Sequence, residues 1–153
     1  MIRLLLAAAV TAALLATALP AVEDARTERV AASLDADAER VVRATESLAY
    51  GEDPTQSLST APRRTVRLSL PARSWTAADL SYVAVGGRPE ETESRPVLTY
   101  AFSGGRETER RLSLPVPLRT PDGPVVLRDS GTHTLSISLL SESEAPVVVV
   151  RSV

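Results

Sequence analysis

Cysteine is absent from the 153 residues, and with it any disulfide framework, thiolate metal site or cysteine nucleophile. Lysine and asparagine are absent too, so all 17 basic residues are arginine and no N-glycosylation sequon can occur. Isoleucine occurs only as Ile2 and Ile137, phenylalanine only as Phe102 and histidine only as His133. Lysine, asparagine, isoleucine and phenylalanine share A/T-rich codons. Their scarcity reads as the nucleotide bias of a GC-rich genome and not as an arginine-specific function, although the planar, permanently charged guanidinium does differ physically from an ammonium. Charge of either sign is not in excess: 17 basic against 19 acidic residues leaves a formal net charge of −2. A nucleic-acid binder gathers a basic surplus on one face, so no nucleic-acid partner is expected. The length allows one domain and something extra.

The extra is visible at the start. Eighteen of the first 22 residues are hydrophobic, against 44% for the whole chain. After Arg3, residues 4–22 run without a charge until Glu23 and Asp24 arrive together. That span is close to the roughly 20 residues a helix needs to cross the hydrocarbon core. Two readings are open. One is a retained transmembrane anchor with the N-terminus inside and residues 23–153 outside, because the positive charge precedes the span and the acidic pair follows it. The other is a cleaved secretory signal with Ala16-Thr17-Ala18 as its small-x-small site, which leaves a secreted protein. Both export the rest of the chain and make membrane lipid the partner of residues 4–22.

Residues 23–50 hold neither glycine nor proline and are dominated by Ala, Glu, Asp, Arg, Leu and Val, which predicts a helix. Val30, Leu34, Val41, Thr45 and Leu48 form one apolar packing stripe, and the pairs Asp37–Arg40 and Glu39–Arg43 can close along the exposed side. Asp37 falls where a strict heptad wants an apolar residue, so a packing face is expected and not a long coiled coil. Pro20 starts a new helix or kinks a continuous one.

Residues 51–62 are rich in turn formers and read as a linker. Beyond them the period becomes alternating: Val66, Leu68 and Leu70; Leu112, Leu114, Val116 and Leu118; Leu135, Ile137 and Leu139. Further strands are expected at 80–85, 97–102, 124–128 and 147–150. Seven short strands imply an α+β chain whose β domain, residues 63–153, is antiparallel, with a sandwich as one way of folding it. Pro115 and Pro117 confine their strand to an edge or a bulge.

Signals for chemistry are few. The frame L-[ST]-Y-x3-G-G-R occurs at residues 80–88 and again at 98–106; it reads as two strands each ending in a glycine turn, with Arg88 and Arg106 as candidate contact residues. A lone histidine without cysteine does not make a zinc site, and no G-x-S-x-G elbow accompanies His133, so neither metal, cofactor nor catalytic residues are expected. Asp129-Ser130-Gly131 reads as a turn. Glu90, Glu91 and Glu93 read as a solvated loop, since the Asp/Gly pattern of a calcium site is missing. Trp75 is either core packing or an exposed contact residue.

An apolar helix at the N-terminus, running through a proline into an amphipathic helix and then a β-rich outer domain, resembles the architecture of type IV pilins and pseudopilins. The arginine-only composition and the stretch Leu19-Pro20-Ala21-Val22-Glu23-Asp24-Ala25-Arg26 resemble an uncharacterised family of haloarchaeal exported proteins found with pilus-type secretion components. The resemblance implies that the apolar helices pack together while the β domain faces outward, with other pilin-like or secretion-apparatus subunits as partners. A non-enzymatic filament or secretion subunit is therefore expected; an exported β-sandwich that binds an extracytoplasmic ligand or protein is the alternative.

Overall fold

The computed structural model describes residues 2–74 and 76–153, with the side chains of residues 15, 17 and 18 left aside. One helix, α1 (Ile2–Gly51), occupies the first third. Its 50 residues correspond to about 75 Å at 1.5 Å per residue. Pro20 sits inside it, so the helix runs on through a residue that cannot donate to the carbonyl four positions earlier. The apolar and amphipathic segments are thus one element.

Eight strands follow: β1 (Arg63–Leu70), β2 (Leu80–Val85), β3 (Val97–Phe102), β4 (Glu107–Arg111), β5 (Leu118–Arg119), β6 (Val125–Leu127), β7 (Gly131–Glu142) and β8 (Ala145–Ser152). They make two four-stranded sheets, ordered β1-β7-β8-β5 and β4-β3-β2-β6. The chain is α+β, and the alternation in β1, β7 and β8 places Val66, Leu68, Leu135, Ile137, Val148 and Val150 in a core shared with Val83, Val85, Leu98 and Tyr100 of the second sheet. Residue period two explains this directly, since alternate side chains of a strand meet the same face.

Three sequence expectations need correction. The sheets are not purely antiparallel, because the two-residue β5 lies parallel to β8. Residues 112–118 do not form a strand: Leu112 and Leu118 are buried, but Leu114 and Val116 are only half-buried, and only Leu118 enters a strand, at a sheet edge just past Pro117. The strand of that region is instead β4, whose five residues are all exposed. Finally, residues 51–62 are not free of the domain. The Ser141 amide donates to the Thr55 carbonyl at 2.9 Å, the Leu139 amide to that of Pro62 at 3.0 Å, and Ala61 is buried.

The second half of α1 completes the sandwich. Val30, Leu34, Ala38, Val41 and Leu48 are buried in the same core as both sheets. One flank of the helix, through Arg40, Arg43 and Ser47, lines a hollow with β1; the opposite flank, through Glu39, Val42 and Glu46, lines another with the end of β4. Since β1 and β4 are edge strands of different sheets, the helix lies along the open seam between them.

Candidate functional site

The helix is the element whose surface the fold leaves unexplained. Its second half behaves as the stripe requires: Leu34, Val41 and Leu48 are fully buried and Val30 nearly so. Its first half is exposed instead. Ile2, Leu4, Leu5, Leu6, Val10, Leu14, Leu19 and Val22 are exposed, most of them by more than half of their surface. Burying one such side chain is worth about 1.5–3 kcal/mol, so eight represent on the order of 10–20 kcal/mol, as much as the whole stability of a typical domain. A chain cannot carry that surface bare in water. The segment is long and apolar enough to cross a membrane, as an anchor or as a signal sequence.

Asp37 explains how the stripe tolerates a carboxylate. It is 2% exposed, yet it is not unpaired. Oδ2 accepts the Ser69 amide at 3.2 Å, a donor on the free edge of β1 that no strand satisfies. Oδ1 accepts the Arg40 guanidinium, which also reaches the Arg67 carbonyl at 3.4 Å. The pair therefore occupies hydrogen-bonding groups that an open sheet edge would offer to another chain. The second anticipated pair does not form: Glu39 binds Arg110 of β4 at 3.3 Å, with Asp35 at 3.5 Å from the same guanidinium, and ties the helix to the other sheet.

One protein-family model, described as a domain of unknown function (DUF7311), matches residues 1–153. The chain belongs to the DUF7311 family. No curated protein and no solved structure matches it. The match takes in the apolar helix as well as the sandwich, so the DUF7311 unit is the combination just described.

The remaining described candidates of the DUF7311 chain lie in the β domain. Trp75 lies outside the described residues. The two Gly-Gly-Arg frames differ in their surroundings. Gly86 has φ +101° and a Cβ there would meet Thr120 Cγ2 at 2.6 Å, so this glycine is required by close packing. Gly104 has φ +72° in the tight turn between β3 and β4, with open space around it. Arg88 pairs with Glu107, while Arg106 is exposed beyond that turn.

Arg88 belongs to a polar network over the outer face of the β4-β3-β2-β6 sheet. Tyr82 donates to Glu107, and burial, reinforced by that carboxylate, pushes its phenol up to about 12. Arg95 bridges Glu109 at 2.8 Å and Glu91 at 3.3 Å, and the Glu109 charge raises it. The Arg88 amide donates to Glu91 at 3.0 Å and holds that carboxyl below its usual range. Thus the acidic loop is partly solvated: Glu91 ties residues 86–96 together, and Arg88 and Arg95 fasten them to Glu107 and Glu109 of β4. His133 bonds the Asp129 carbonyl at 2.7 Å across the bend that joins β6 to β7, which is a local structural role. Among the described residues no group of three His, Cys, Asp or Glu side chains is placed to hold a metal.

Proposed function

We propose that this chain is a membrane-anchored, pilin-like structural or accessory subunit of a surface filament or secretion apparatus, acting by protein–protein contact. One observation carries the reading: a single unbroken helix has an exposed apolar half and a second half that is a wall of the sandwich core. A cleaved signal serves targeting and needs no rigid continuity with the domain it exports. Here the apolar segment is the lower part of a rod whose upper part holds the fold together. Arg3 before the span and the Glu23–Asp24 pair after it favour an outward-facing domain.

The same observation counts against a free-standing binding module. Without α1, the edge of β1 and the core residues beneath Leu34 and Val41 lose their cover. The test is to isolate the natural protein from membranes, measure the mass of its N-terminus and identify what co-purifies. A chain that begins before residue 4, resists alkaline extraction and brings filament or secretion components with it supports the proposal. A chain that begins at Leu19 and stays soluble overturns it. A 63–153 fragment that folds as a monomer and binds a ligand would favour the binding module instead.

A further inference from the structure

The charges on α1 beyond its apolar segment, over residues 23–51, are sorted by sign. With Leu34 as origin and about 100° per residue, Asp24, Glu28, Asp35, Glu39 and Glu46 fall roughly 80–140° to one side of the buried stripe. Arg26, Arg29 and Arg40 fall roughly 80–140° to the other, and Arg43 lies about opposite the stripe. The two exceptions, Glu23 and Asp37, lie within about 60° of the stripe and are paired with Arg26 and Arg40.

The basic flank continues onto the sandwich. Arg40, Arg43, Arg64 and Arg67 line a broad hollow of about 660 Å³ that no carboxylate lines. Arg64 is answered by Glu52 at 2.9 Å, and Arg40 by Asp37. Arg29, Arg43 and Arg67 have no ion pair among the described residues, nor do Glu28 and Glu46 on the acidic flank.

We propose that α1 docks laterally against a second copy of the same chain, the arginine flank of one helix facing the carboxylate flank of the next. This rests on the anchored reading above, because the membrane supplies the alignment. Copies held by the same apolar residues stand parallel and at one height. Arg29 then meets the level of Glu28 and Arg43 that of Glu46, with offsets of about 1.5 and 4.5 Å. Like flanks repel, so the contact is heterologous: each copy uses one flank and keeps the other free, and the arrangement propagates into a ring or a filament. Exposed charge pairs select partner and register more than they supply affinity. The apolar halves supply the rest, where Ala7, Ala8, Ala9, Ala12 and Ala13 allow close helix approach.

The absence of cysteine makes the test clean. Two tagged full-length versions, Arg43→Cys and Glu46→Cys, are co-expressed, and disulfides are formed in intact membranes. The mixed product is expected to exceed either self-product about tenfold and to fall as ionic strength rises. Arg29→Glu in the Arg43→Cys copy reduces the mixed product, and Glu28→Arg in the other copy restores it, which a folding defect would not do. Predominant self-products, or none of any kind while both versions resist alkaline extraction, overturn lateral pairing and leave the anchor standing. If the chains are extracted as soluble protein, the anchored reading fails and the alignment fails with it.

Discussion

Replacing Asp37 separates two kinds of interaction at the helix–strand junction. Asp37→Ala removes the acceptor of the Ser69 amide, 3.2 Å from Oδ2, and the partner of Arg40. The Arg40 side chain is 48% exposed and can hydrate, so its share is that of a surface pair, up to about 1 kcal/mol. The part-buried hydrogen bond from the Ser69 amide to a charged oxygen is worth about 1.5–3 kcal/mol. Relief of a buried carboxylate offsets part of this, leaving a loss of about 2 kcal/mol. Asp37→Asn keeps a carbonyl oxygen for Ser69 and forfeits only the charge, at about 1 kcal/mol or less. Urea unfolding of the full chain in micelles, with hydrogen exchange at the Ser69 amide, checks both values. Exchange at Ser69 should accelerate in Asp37→Ala and not in Asp37→Asn. Equal stabilities and equal protection in the two variants would refute the edge-capping role.

Other perturbations follow from burial and protonation. Leu34→Ala, at a fully buried position between helix and sheets, should cost about 2–5 kcal/mol in the same unfolding assay. Thr45 is fully buried and its hydroxyl has no hydrogen-bond partner, so Thr45→Val should stabilise by about 1 kcal/mol, read as a higher urea midpoint. Tyr82 titrates higher in the fold than its ordinary 10.0, at about 12. Folding therefore retains the phenolic proton: the stabilisation is whole below about pH 10 and is lost as pH rises through about 12. Tyr82→Phe should flatten this alkaline decline, as measured by stability between pH 9 and 12, while losing the Glu107 hydrogen bond near neutrality.

The parts of the fold that show in the letters are those where burial is periodic. The 3.6-residue stripe of α1 and the alternation of β1 and β7 each carry the signature of one covered face. β4 has no such signature, because Glu107, Thr108, Glu109, Arg110 and Arg111 are exposed on both sides of an edge strand. Residues 112–118 have the signature without the strand, since prolines at 115 and 117 interrupt the ladder. Asp37 looks like a break in the stripe until its partner is known, and that partner is a backbone amide 32 residues away. Glu39 similarly passes over the nearby Arg43 for Arg110, a choice made by the packing of helix on sheet. The position of α1 in the seam between β1 and β4 depends on strand order, which no local pattern encodes.

The most direct test of the anchored rod is a distance along it. Spin labels at Thr11→Cys and Ser47→Cys of the full chain, diluted with unlabelled protein in bilayers, bracket Pro20 and lie 36 residues apart in one helix. An unbroken helix gives a narrow distribution near about 54 Å. A broad or much shorter distribution, or loss of the first label through cleavage of the N-terminal segment, would contradict it.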